Sequence, residues 1–349
     1  MPGSERTCAP CRAFLCSRRG LVILGPPMRF LQGTPFVFRK IPYLCGKIVR
    51  HKHLIAMHNT SSRYINANGR LIDLSTPLVM GILNLTPDSF YAASRMQTDD
   101  SIALRVRQIV DEGGGIIDVG AYSSRPGAAD VSPSEEMSRL RRGLSIVRRV
   151  CPEAVLSVDT FRADVARMCV EEFGVDIVND ISAGALDADM FATVARLGVP
   201  YVLMHMQGTP QTMQAAPTYV DPVCDVLQFL ATKLQQLREA GVCDIIVDPG
   251  FGFGKTLEDN YRLLACLDDF RRLDAPLLVG VSRKSMIYKL LGCTPEDSLN
   301  GTTVLHTLSL CHGADILRVH DVRPAVEAVK IVSLYRGVSP EGAAVTLHN

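Results

Sequence analysis

No stretch of the 349-residue sequence approaches the roughly 18 to 20 unbroken apolar residues that a membrane-spanning helix requires, so a hydrophobic content of 47% points to a large buried core and a soluble protein. With 21% of residues charged and 6% aromatic, disordered and collagen-like chains are excluded. Paired cysteines are lacking too. The eleven cysteines are odd in number, and the seven beyond residue 56 stand singly in apolar or helical contexts, as reduced thiols of a cytosolic protein do. Cys8 and Cys11 form one CxxC without a second pair, and no HExxH occurs, so a zinc centre has no support.

Acidic residues are almost missing from the beginning of the chain. Residues 1–56 hold ten Lys or Arg against the single acid Glu5, and the remainder, with 27 bases and 35 acids, carries −8. An acidic body offers no basic face for phosphates, so no nucleic-acid partner is expected. Arg6, Arg12, Arg18, Arg19 and Arg29 give the first segment the composition of an organellar presequence, while Leu21–Leu24 is too short for a secretory apolar core. Pro26, Pro27, Pro35 and Pro42 break any helix there. Residues 1–56 are therefore expected to lie outside the fold, as a disordered basic tail or translated upstream sequence, leaving 57–349 as one domain.

That domain repeats a pattern eight times. Short continuous runs rich in Val, Ile and Leu occur at Leu78–Leu85, Gly115–Ala121, Ala154–Thr160, Asp176–Ser182, Pro200–Met206, Asp244–Gly250, Pro276–Ser282 and Ile316–Val322. Unbroken rather than alternating hydrophobicity fits parallel strands buried on both faces. Amphipathic stretches such as Ser101–Glu112, Ser134–Val150, Asp164–Phe173, Pro222–Ala240 and Asn300–His312 fill the spacers. Eight strand-helix units predict a closed α/β (β/α)8 TIM barrel; a doubly wound sheet would open with a Gly-rich turn, which is missing after Leu85.

In such a barrel every strand ends on the same rim, and that rim carries the active site. There the apolar code gives way to Asn84, Ser123-Ser124-Arg125, Asp159, Asn179-Asp180, His205, Asp248, Ser282-Arg283-Lys284 and Arg318-Val319-His320. Any one of these could be a helix cap or a satisfied loop residue; eight sets together indicate a site. Arg125, Lys284 and Arg318, beside Ser124 and His320, suit a phosphate or pyrophosphate. Asp159, Asn179 and Asp248 suit a flat heterocycle with ring N–H and amino donors. The run Phe251–Thr256 looks like the end of a P-loop, but Pro249 stands where its first glycine would be.

Gly81-Ile-Leu-Asn-Leu-Thr-Pro-Asp-Ser-Phe90, Asp118-Val-Gly-Ala-Tyr-Ser-Ser-Arg-Pro-Gly127, Ser157-Val-Asp-Thr160, Asn179-Asp-Ile181, Met204-His-Met-Gln-Gly208, Asp248-Pro-Gly-Phe-Gly-Phe-Gly254, Ser282-Arg-Lys-Ser285 and Arg318-Val-His-Asp321 together resemble the dihydropteroate synthase family. The resemblance runs from about Tyr64 to Arg336 and implies a (β/α)8 barrel. It implies condensation of 6-hydroxymethyl-7,8-dihydropterin diphosphate with 4-aminobenzoate to 7,8-dihydropteroate and pyrophosphate, in folate biosynthesis. Carried over by motif, Asp159, Asn179, Asp248 and Lys284 hold the pterin, with Met204 and Phe253 as apolar walls. Asn84 binds Mg²⁺, and Ser124, Arg125, Arg318 and His320 take the diphosphate; Asp159, Arg125 and Lys284 are the implied catalytic residues. The loops after Asn84 and Tyr122 become lids. A cytoplasmic homodimer of a family that is a sulfonamide target, built from segments near Asn300–Cys311 and Ala325–Leu334, also follows from the resemblance. The chain departs from the common pattern at Tyr122-Ser123-Ser124, where many members read Glu-Ser-Thr. Two other readings remain: a pterin-dependent methyltransferase, which has no need of the diphosphate cluster, and a non-catalytic pterin-binding paralogue.

Overall fold

The structure, a computed structural model, describes residues 64–86, 98–122, 130–213 and 217–337. It opens with a hairpin of β1 (Tyr64–Ala67) and β2 (Arg70–Asp73) that the strand count did not include. Asn68 and Gly69 connect them at φ 53° and 85°. Such a pair supplies the two left-handed residues of the tight hairpin turn whose twist matches its strands.

Eight parallel strands follow: β3 (Leu78–Asn84), β4 (Ile116–Gly120), β5 (Leu156–Asp159), β6 (Ile177–Asp180), β7 (Tyr201–Met204), β8 (Ile245–Asp248), β9 (Leu278–Val279) and β10 (Ile316–Val319). Each pairs with the next in chain order, and β10 returns to pair with β3. Between β8 and β9 the ring is completed by a single parallel bridge, Val247 with Leu277. The predicted barrel is thus present, with its strands shorter than the apolar runs, because the run ends bend into loops.

Helices α1 (Asp99–Asp111), α2 (Pro133–Val150), α3 (Ala163–Phe173), α4 (Met190–Leu197), α5 (Pro222–Glu239), α6 (Leu257–Ala265), α7 (Ser285–Leu291), α8 (Leu299–Cys311) and α9 (Val322–Gly337) surround the strands. Local chemistry fixes where they start. Ser132 caps α2 by accepting from the Glu135 N–H, with Pro133 next and acids in the first turn, while Arg148 and Arg149 meet the negative end of the helix dipole. Asp221 caps α5, accepting from the N–H groups of Val223 and Cys224, again followed by proline.

The core has two layers, because alternate strand residues point to opposite faces. Outward residues such as Leu83, Val119, Val158, Val178, Leu203 and Val247 pack under the helices. Inward, Met80, Ile116, Ile177, Val202, Ile246, Leu278 and Ile316 fill the barrel, and Ile65 and Leu74 of the hairpin segment seal that cluster. Polar ties fix the plug in place: the Asn66 N–H donates to Asp244, and the Arg70 guanidinium donates to Asp176 and to the Glu153 carbonyl.

Candidate active site

Two residues beyond the inward apolar layer the same strands present a second inward layer, and its composition changes abruptly. Ile116 is followed by Asp118, Ile177 by Asn179, Val202 by Met204, Ile246 by Asp248, and Ile316 by Arg318. Strand β5 contributes Asp159, two residues after Ser157. A buried polar layer survives only if its groups are paired, and its charged and amide groups are, while the Ser157 hydroxyl beside Asp118 is not.

Arg318 is the centre of the pairing. Its Nε donates to Asp118 Oδ2 at 2.6 Å, and its Nη2 donates to Asp159 Oδ2 at 2.6 Å. Asn179 Nδ2 donates to the same Asp118 carboxylate at 3.2 Å. Burial raises the Asp159 pKa to about 7; Arg318 pulls it back, and the neighbouring Asp118 charge pushes it further up. A β-carbon placed on Gly120 would stand 3.7 Å from both Asn84 Oδ1 and Asp159 Oδ2, so Asn84 and Asp159 face a common space that the missing side chain leaves open.

Asp248 closes the opposite side. One carboxylate oxygen accepts from the Gly250 N–H at 2.7 Å, and burial raises its pKa, opposed by Lys284. Lys284 donates to the Phe251 carbonyl, and its Nζ lies 4.5 Å from the Phe253 ring centre. Burial lowers the Lys284 pKa to about 8, while Asp248 favours the cation. Lys284 is aimed by its neighbour: Arg283 adopts a left-handed φ of 53° and buries its guanidinium on Asp321 and the Pro295 and Glu296 carbonyls. His320 stands beside Ser282, whose Oγ accepts from the His320 N–H at 3.2 Å; burial and then Arg318 keep its ring neutral, with a pKa of about 3.

The result is a cluster on the rim with three carboxylates, two amides, one thioether, one aromatic ring, one imidazole and two cations. It can take a planar donor-rich heterocycle and balance a negative tail. The pterin binding enzyme family matches residues 80–320 of the chain. Dihydropteroate synthase of Escherichia coli strain K12 is 42% identical over 274 residues, which cover 76% of this chain and 94% of that protein. The chain belongs to the dihydropteroate synthase family. Among solved structures, the Yersinia pestis dihydropteroate synthase in a sulfonamide drug complex superimposes with a TM-score of 0.74 at 38% identity, over 79% of this chain and all of that one. The Thermus thermophilus dihydropteroate synthase in complex with 4-aminobenzoate gives a TM-score of 0.69 at 37% identity, over 78% and 99% of the two chains.

Of the residues expected from sequence, Asn84, Asp159, Asn179, Met204, Asp248, Phe253, Lys284, Arg318 and His320 all stand at the C-terminal rim of the barrel or in the loops directly after it. Ser124, Arg125 and the lid residues Pro87, Asp88, Pro126 and Gly127 lie outside the described residues, as does the segment 1–56. Three rim residues serve the frame instead. Asp180, next to Asn179 and so on the opposite face of β6, accepts from Tyr201 Oη and two backbone N–H groups. Arg283 is spent on Asp321, and His205 is buried against Lys255. Asp118 was not singled out, although its place two residues after Ile116 puts it in the inward layer. Tyr122 packs edge-on to Phe161 at 5.0 Å and accepts from Gln211 Nε2 at 3.3 Å, so the residue that replaces the common glutamate is held by its neighbours.

Proposed function

We infer that this chain catalyses the condensation of 6-hydroxymethyl-7,8-dihydropterin diphosphate with 4-aminobenzoate, releasing 7,8-dihydropteroate and pyrophosphate, a step of folate synthesis in the cytoplasm. The carrying observation is the Asp118–Arg318–Asp159 pairing beside Asp248 and Lys284, inside a barrel of this family. Asp248 and Asn179 receive the amino and ring N–H groups of the pterin, Met204 and Phe253 cover its faces, and Lys284 supplies a donor at its edge. Asp159 faces the methylene carbon, where positive charge grows as the C–O bond to the diphosphate breaks, and its carboxylate stabilises that charge. The arylamine nitrogen then bonds to the methylene carbon and gives up its proton to solvent. Arg318 and His320, with Ser124 and Arg125, hold the departing pyrophosphate.

Magnesium fits the residues present. Among the described residues no group of three or more His, Cys, Asp or Glu forms a self-contained cage. Mg²⁺ is commonly held through one or two protein oxygens together with water and substrate phosphates, and Asn84 offers one such oxygen at the rim. When bound it would neutralise charge on the leaving pyrophosphate. We also assign a homodimer to the exposed apolar side of α7, α8 and α9, and sulfonamides, as aminobenzoate mimics, to the same pocket.

The test is pyrophosphate release by the purified chain given the pterin diphosphate, Mg²⁺ and 4-aminobenzoate. Release that depends on the amine and disappears in Asp159→Ala supports the reading. Tight pterin binding without release would leave a non-catalytic binder, and release unaffected by Asp159→Ala would remove that residue from the chemistry.

A further inference from the structure

In the loop between β8 and α6, glycines alternate with Phe251, Phe253 and Lys255. Gly250, Gly252 and Gly254 take φ values of 71°, 80° and 60°, a left-handed conformation that costs glycine little and other residues more. A β-carbon on Gly250 would fall 1.9 Å from the His205 carbonyl oxygen, and one on Gly254 would fall 2.5 Å from that of Gln207, so this loop lies directly on the loop after β7. A segment bent this way has no strand partner for its carbonyls, and side chains take their place. Lys255 Nζ donates to the Gly250 carbonyl at 2.7 Å and to the Phe253 carbonyl at 3.0 Å. Lys284 Nζ donates to the Phe251 carbonyl, and Tyr219 Oη to the Gly254 carbonyl at 2.6 Å.

Lys255 is the unusual member of this set. It is only 4% exposed, and its Nζ also lies 3.0 Å from His205 Nδ1 and 3.3 Å from the His205 carbonyl. The Nζ thus faces three carbonyl oxygens and a ring nitrogen, a shell that fixes two loops to each other. Burial draws its pKa down to about 7; Asp248 and Asp259 favour the cation and Lys284 opposes it. A buried lysine among carbonyls could simply hold the fold together. Here the carbonyls it holds belong to Phe253, and to Gly250, whose N–H in turn holds Asp248. Gly252 is where the Lys284 stem passes, 3.1 Å from a β-carbon built there, so the third group assigned to the pterin rests on the same loop.

We propose that Lys255, with Tyr219 as its outer counterpart, is a positioning residue for the pterin ring: it sets the distance between Asp248, Phe253 and Lys284 without touching the substrate. The proposal rests on the placement of the pterin between Asp248 and Phe253. It acts on the ring half of the pterin diphosphate, because the groups assigned to the diphosphate come from other loops.

Steady-state kinetics on the full chain test it, with thermal melting to confirm folding. In Lys255→Met the KM for the pterin diphosphate should rise about tenfold or more, the scale of losing several hydrogen bonds at one buried donor. A purely structural role would lower kcat through loss of folded enzyme and leave that KM alone; that result overturns the proposal. If Lys255→Met does not fold, Tyr219→Phe decides, since it deletes one hydroxyl from a half-buried ring. A rise of about threefold in pterin KM supports the clamp, and no change rejects it. Asp248→Asn separates the levels. If it leaves pterin KM unchanged, the pterin placement fails and the proposal with it; if it raises pterin KM while Lys255→Met and Tyr219→Phe do not, the placement stands and the clamp alone is refuted.

Discussion

Arg318 does two things with one guanidinium. Its Nε bond to Asp118 fixes the side chain, and its Nη2 bond to Asp159 places a permanent cation on a carboxylate that burial alone would protonate. With a pKa of about 7, Asp159 is protonated in acid and becomes an anion as pH rises, which is the form that can face positive charge on a pterin. The single-turnover rate of C–O cleavage in the pterin diphosphate should therefore rise as pH rises through about 7, and Asp159→Asn should lose that dependence. Rapid-quench measurements from pH 6 to pH 8 check it, and a wild-type profile no different from that of Asp159→Asn rejects the assignment. The stability contribution has the opposite sign. A carboxyl whose folded pKa lies above its unfolded value favours folding most below that unfolded value, and the benefit is lost as pH rises through about 7. Much of this layer was legible, because chemistry-bearing residues ended each apolar run. Asp118 was missed because it lies inside a run, where only strand parity exposes its inward position. The same parity distinguishes Asn179 from its outward neighbour Asp180.

Elements were read most securely where local and global signals agreed. The run Pro222–Ala240 combines an amphipathic pattern with an Asp-Pro start, and α5 spans Pro222–Glu239. Its cap carries a measurable share of stability: Asp221→Ala should cost about 1 kcal/mol in urea unfolding, as loss of an N-cap acceptor typically does. Pterin KM should stay unchanged, and a shift in pterin KM with no change in stability would show that Asp221 acts on the site and not on the helix. The hairpin escaped notice for a different reason. Its strands are four residues each and belong to no strand-helix repeat, so only Asn68-Gly69 announced them. The loop after β8 was equally opaque. Its resemblance to a P-loop ending came from glycines and a lysine, yet the structure uses those glycines to press one loop against another and the lysine to capture carbonyls. Composition shows that such a loop bends tightly, whereas the destination of each carbonyl depends on residues as distant as Tyr219 and Lys284.

At the scale of the molecule, the barrel buries its strands under a ring of helices, but one side of that ring is left apolar. Leu290 and Leu291 of α7, Val304 and Leu308 of α8, and Ile331, Leu334 and Tyr335 of α9 are all more than 40% exposed. Val304 and Leu308 are four residues apart, and Ile331, Leu334 and Tyr335 are spaced by three and four, so on each helix they share a face. Because α8 packs between α7 and α9, these faces lie side by side. Scattered surface leucines need no explanation, but apolar side chains concentrated on adjacent helices mark an interaction surface. A second copy of the chain is the assigned occupant, since a two-fold contact lets one patch cover itself. Replacing Leu308 and Ile331 together by Glu places carboxylates in the centre of that contact while leaving them in water on a single chain, so folding should be preserved. Light scattering after size exclusion should give twice the chain mass for the wild type and the single-chain mass for Leu308→Glu/Ile331→Glu, with cooperative melting retained. A wild type that runs as one chain, or a double variant that stays dimeric, would place the contact elsewhere and leave the apolar face of α7, α8 and α9 for a different partner.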